Sequence, residues 1–126
     1  MDEIVAVLLQ ISNGLPSGSK KLLFALILIV CLDYITGICV AVKEKKLSSK
    51  IGFKGLATKV MIFAMVALTA VIDYLLIGEG SALCNLTILF YCANELISIC
   101  ENANNMGLPL PEKLVSFLKE FQDKQK

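Results

Sequence analysis

The chain has 126 residues, enough for one domain, and 56% of them are hydrophobic, above the roughly 45–50% usual in soluble domains, so a membrane protein is the first class to test. A formal net charge of +1 gives no electrostatic case for binding nucleic acid or a strongly acidic partner. All twelve basic residues are lysines, and with neither His nor Arg the chain lacks the commonest general base, the commonest metal ligand and the usual bidentate partner of a buried carboxylate.

The opening "MDEIVAVLLQIS" has acids where a secretory signal carries its positive region, so cleavage is not expected. It is too short to span a bilayer. Ile4, Val7, Leu8 and Ile11 share one helical face, which predicts a short amphipathic helix in the headgroup plane. Next comes "LLFALILIVCLDYITGICVAV", 22–42, long enough at about 1.5 Å per residue to cross a hydrocarbon core of roughly 30 Å. A second span is predicted over 59–77 and a third over 81–99. The glycines of "GEG", 78–80, suit a tight antiparallel connection. Asn104, Asn105, Gly107, Pro109 and Pro111 stop the third span. Beyond them Leu114, Phe117, Leu118 and Phe121 predict an amphipathic C-terminal helix over about 111–121, lying on the membrane surface or on a neighbouring subunit. The expected architecture is all-α, a single membrane domain of three transmembrane helices with short amphipathic helices at both ends.

The stretch 43–59 carries six of the twelve lysines, Lys43, Lys45, Lys46, Lys50, Lys54 and Lys59, with Glu44 as its one acid. By the positive-inside rule the loop 43–58 faces the cytoplasm and anionic lipid, which puts the N-terminus outside and the C-terminus inside.

The five cysteines at 31, 39, 84, 92 and 100 fall in apolar runs without metal-ligand spacing and read as small buried hydrophobes. No metal or other cofactor is expected. More informative are the polar residues inside the spans. Counting at about 1.5 Å per residue puts Asp33 and Glu95 within about one turn of each other in depth, and Asp73 level with Thr87. Thr87, Tyr91, Asn94, Ser98 and Glu101 or Asn102 recur at helical spacing as a stripe with Glu95 at its edge. Asp33, Thr36, Gly37 and Ala41 make a small, polar face on the first span. An ionised carboxylate at the bilayer centre costs a few kcal/mol. With Lys59 placed at the membrane surface, no cation is within reach of these acids. The expectation is therefore neutral acids hydrogen-bonded between helices, or carboxylates lining a wet path between copies of the chain.

Three features in order carry a family likeness. They are "DYITGICVAVKEKKLSSKIGFKGLATK" at 33–59, Asp73 near the far end of the following span, and "NELISICENANNMGLPLPEKL" at 94–114. Together they make the chain resemble, over about 22–118, the small phage holins of the group that includes clostridial toxin-secretion holins. The resemblance implies a noncatalytic protein that oligomerises in the bacterial cytoplasmic membrane and opens timed lesions, releasing an endolysin or a toxin and lysing the host. The matching positions are Asp33, Thr36, Gly37, Asp73, Asn94, Glu95, Ser98, Glu101 and Asn102; these and Thr87 are the expected pore-lining or oligomer-interface residues. Two rival readings use the same residues differently: a small ion or proton channel or transporter, and a membrane adaptor whose C-terminal helix recruits a soluble partner. An enzyme is not expected, since no nucleophile–base pair is visible and the acids are scattered.

Overall fold

The computed structural model describes residues 1–14, 17–77 and 81–125, which form helices with no strand among them. In chain order these are α1 (Asp2–Gly14), α2 (Ser17–Lys43), α3 (Ser49–Ile72, continued by a π-helical turn Asp73–Ile77), α4 (Ala82–Asn105) and α5 (Glu112–Gln125). Three stretches are long and apolar enough to cross a membrane: Gly18–Lys43, Ser49–Leu76 and Ala82–Asn105. At about 1.5 Å per residue each exceeds the roughly 30 Å of hydrocarbon, so their ends reach into the headgroups. The predicted "GEG" connection lies outside the described residues.

The largest departure from the sequence reading concerns 43–58. Instead of a long basic loop, only 44–48 separates α2 from α3, and Lys50 and Lys54 ride exposed on the first turns of α3. The cause is local. Ser48 is extended (φ −148°, ψ 157°) and its hydroxyl accepts a hydrogen bond from the Ile51 amide at 3.2 Å, satisfying one of the otherwise unpaired donors of a helix start. Hydropathy falls before 59 but the helix does not, because a helix needs caps and backbone bonds rather than apolar side chains.

The end of α4 is equally determined. Gly107 takes φ +88°, its amide donates to the Asn104 carbonyl (3.0 Å) and the Leu108 amide donates to that of Ala103 (3.1 Å). This paired closure uses carbonyls that the helix leaves unsatisfied and needs a left-handed residue, which glycine adopts without steric penalty.

Helix α4 is the hub: it packs against both α2 and α3, which touch each other only slightly. The core is a thin stripe of Leu26 and Val30 on α2, Ile62, Val66 and Ala70 on α3, and Cys84, Ile88 and Cys92 on α4. Most other apolar side chains point outward, among them Phe24, Leu28, Ile35, Met61, Leu68 and Leu86, as suits helices solvated by acyl chains. Cys84 and Cys92 are buried as expected, whereas Cys31 and Cys39 are on the outward face and Cys100 is half-buried. An apolar run in a membrane helix does not distinguish core from lipid, so burial of those three could not be read from composition.

At the opposite end, which carries Lys20 and Lys21, polar groups join the helices. Ser81 donates to Ser19 (Oγ–Oγ 2.8 Å), and Ser19 to Asn85 Oδ1 at 2.6 Å. Asp73 is 2% exposed. Its carboxylate accepts from the amides of Cys84 (2.8 Å) and Leu83 (3.4 Å), about one turn nearer the helix start than the predicted level at Thr87. Ser81, at the N-cap position of α4, makes no side-chain cap, so an acid from the neighbouring helix caps it instead, at the positive end of the helix dipole. Asp73→Ala should therefore destabilise the fold by about 1–2 kcal/mol. Asp73→Asn, which keeps an acceptor oxygen, should lose less; thermal unfolding in detergent micelles followed by circular dichroism measures both.

Candidate functional site: a lysine shared by two buried carboxylates

In each span one helical face carries both the core and the polar groups. On α2 it runs through Ser19, Leu26, Val30, Asp33 and Gly37; on α3 through Lys59, Ile62, Val66 and Asp73; on α4 through Cys84, Ile88, Glu95 and Asn102. Asp33 lies ten residues before the end of α2 at Lys43, Lys59 ten after the start of α3 at Ser49, and Glu95 ten before the end of α4 at Asn105. Because α3 runs opposite to its neighbours, all three side chains fall at one depth, about 15 Å in from the lysine-rich end.

There the Lys59 ammonium donates to Asp33 Oδ2 and, at 2.7 Å, to Glu95 Oε2. Asp33 is 4% exposed and Glu95 6%, so both carboxylates are removed from lipid and water alike. This overturns the expectation that no cation reaches the acids. Lys59 is not a lipid-facing loop residue but an interior one, because the earlier start of α3 places it mid-span. Two carboxylates on one ammonium leave one unit of negative charge when all three ionise. Asn102 offsets part of it: its Nδ2 donates to Asp33 Oδ1 (3.2 Å), to the Asp33 carbonyl (3.3 Å) and to Thr36 Oγ1 (2.9 Å). Thr36 in turn donates to the carbonyls of Leu32 (2.8 Å) and Asp33 (3.0 Å). No buried side-chain nitrogen or oxygen among the described residues lacks a partner.

A crevice of about 220 Å³ between α2, α3 and α4 leads to this cluster. Its walls include Ile38, Ala41, Leu47 and Ile51, and Asp33, Lys59, Ser98 and Asn102 supply its polar lining. Here α2 and α3, which make little direct contact, are bridged by Tyr34, whose hydroxyl donates to the Gly52 carbonyl at 3.3 Å. Nearby Lys43 donates to the Asn105 carbonyl at 2.8 Å, where a cation meets the negative end of α4.

The structure thus joins Asp33, Thr36, Glu95 and Asn102 in one network, and Gly37 faces Asn102, whose amide nitrogen would be 3.8 Å from an added Cβ. Glu95 stands at the centre of the buried face rather than at the edge of a polar stripe. Thr87, half-buried, donates to the Leu83 carbonyl of its own helix at 2.9 Å. Half-buried Asn94 and exposed Glu101 lie roughly 100° and 120° around α4 from Glu95. Asp73 belongs to the opposite end. Of the lysines, Lys46 makes an exposed pair with Glu44 at 3.8 Å, of the kind that adds little stability. The role of Lys59 escaped the sequence reading. The spacing of Lys59, Ile62, Val66 and Asp73 along one face was the available signal.

The two segments that carry the family likeness, 33–59 and 94–114, are the ones this network ties together. The sequence profile of the bacteriophage holin family matches residues 11–123. Similar proteins include an uncharacterized protein of Halalkalibacterium halodurans, 40% identical over 110 residues (82% of either chain), and an uncharacterized 14.9 kDa protein of Clostridium perfringens, 37% identical over 103 residues (82% of this chain, 78% of that one). A probable holin of Bacillus phage phi105 is 35% identical over 103 residues, covering 82% of this chain and 76% of its own. No solved structure matches.

Removing one member of the cluster should be far more costly than removing all its charge. Lys59→Met leaves two facing carboxylates and is expected to destabilise by about 3–5 kcal/mol. Adding Asp33→Asn and Glu95→Gln to Lys59→Met should recover most of that loss, as measured by unfolding of each variant in the same micelles.

Proposed function

The chain belongs to the bacteriophage holin family, and from that premise we propose that it acts as a holin, accumulating in the bacterial cytoplasmic membrane, oligomerising, and opening lesions at a set time. Those lesions would pass an endolysin or an exported toxin and end in host lysis. The lysine-rich end, with Lys43, Lys45, Lys46, Lys50 and Lys54, faces the cytoplasm in this reading, and the N-terminus lies outside. The amphipathic helices α1 and α5 then lie along the two surfaces.

The observation that carries the reading is the family match across residues 11–123. The closed polar network agrees with it in physical terms. A protomer whose buried side-chain nitrogens and oxygens, among the described residues, all have partners leaves none of them to draw water through the span, so it can accumulate without leaking. Three helices packed through a thin apolar stripe also enclose no wide passage, so a large opening requires several copies. On this account Asp33, Thr36, Gly37, Glu95, Ser98 and Asn102, inside the closed protomer, become contacts between copies or the wall of the opening, together with Thr87, Asn94 and Glu101. Asp73, engaged in capping α4, is the least suited of the sequence candidates to a pore wall.

A rival reading, a small ion or proton carrier, draws on the crevice that ends at Asp33 and Lys59. Beyond the cluster, however, Leu26, Val66, Cys84 and Ile88 belong to one buried apolar cluster, which an ion crossing a single protomer would have to pass. This favours the holin.

Induced in bacteria together with a wall hydrolase lacking a signal peptide, the chain should, after a delay, abruptly collapse the membrane potential and then lyse the culture. Without the hydrolase, depolarisation and growth arrest should occur with little lysis. Potential-sensitive dye and optical density report both. Unchanged growth and potential at high membrane levels of the protein would rule the proposal out, and Asp33→Asn should move the time of onset.

A further inference from the structure

The α2–α4 contact joins helices far apart in the chain, whereas α2 barely touches α3, the helix that follows it. Only 44–48 connects α2 to the α3–α4 pair. Within that connection Lys45 takes the left-handed position of the turn that closes α2, φ +58°, where its amide donates to the Val42 carbonyl (3.1 Å) and that of Lys46 to Ala41 (2.9 Å); a side chain other than glycine is disfavoured there, and a short hinge under such strain favours opening. From this arrangement we infer that copies of the chain exchange α2: the α2 of one copy leaves its own α4 and packs on the α4 of a neighbour.

The charges specify the partner. When α2 leaves, Lys59 and Glu95 stay together on the α3–α4 pair at 2.7 Å, so that pair loses no neutralising cation. Asp33 departs with α2 and meets hydrocarbon, where an unpaired carboxylate is costly. The surface that satisfies it is one already built for it, the Lys59 ammonium and Asn102 amide of another copy, with the Ser81 and Asn85 of that copy receiving Ser19 at the other end. A site emptied by exchange is completed by a neighbour's Asp33 as it was by its own. Two carboxylates on one lysine acquire a physical meaning here: one holds the cation in place while the other is exchanged. A head-to-tail exchange does not close on a pair, so each copy gives an α2 to the next and receives one from the last, generating rings or open chains. The inference deepens the proposed function, since it supplies the contact by which the copies assemble.

Cysteine cross-linking tests it, with Cys31, Cys39 and Cys100 replaced by Ala. Ser19 and Ser81 are 1% and 5% exposed, so in an unexchanged protomer no other copy reaches them. One tagged chain carries Ser19→Cys, a second, differently tagged, carries Ser81→Cys, and the two are expressed together and treated with a membrane-permeant oxidant. Exchange predicts a disulfide-linked dimer bearing both tags, growing with expression level and lost on reduction. A single chain with both substitutions should then give a ladder of linked copies. Lys45→Gly, which relieves the strained hinge, should lower the mixed fraction several-fold in the same assay. If the doubly substituted chain forms only an internal disulfide and the mixed dimer is absent, the exchange is overturned, whether or not the cells lyse. If mixed dimers form but the potential never collapses, the exchange stands and the lesion-forming reading falls.

Discussion

A carboxylate held in hydrocarbon must find a partner, and this chain pairs two of them with one lysine from the helix between them in sequence. That requirement fixes more than local charge. It sets the axial register of α2, α3 and α4, since Asp33, Lys59 and Glu95 must meet at one depth, and it sets their rotation, since all three must face inward together. Apolar contacts alone would do neither in lipid, where a leucine gains little by leaving acyl chains for another leucine.

The two ends of the bundle solve the same problem differently. Near the lysines, charge meets charge, backed by Asn102, Thr36 and the Lys43 contact with the end of α4. At the far end Asp73 spends its charge on backbone amides of α4 and serine hydroxyls complete the joint. In both places polar groups are consumed within the protomer. Under the proposed function such a protomer has to change partners rather than expose what is already free. The short link 44–48, with its left-handed Lys45, is the hinge for such a change.

Much of this was legible in the residues. Runs of apolar side chains longer than a bilayer leave few alternatives to three spans, and acids within them announce an interior because lipid does not tolerate them. Asp33 and Glu95 could be matched in depth by counting. Lys59 could not be placed, because hydropathy marks where a sequence becomes polar and not where a helix begins. Ser48, with its cap to Ile51, moved that beginning ten residues and carried a lysine from the surface to mid-span. The cap supplied by Asp73 was hidden for a related reason: it comes from a different helix from the one it completes, so no local motif records it.

The number of spans, the amphipathic ends, the terminator after Asn105 and the likeness to a holin could all be read from the residues, because each depends on composition or on contacts within a few residues. Tertiary structure alone decided which polar groups meet. Pairing across |i−j| of 26 to 69 residues depends on where each helix starts and how it turns on its neighbours, quantities that no window along the chain contains.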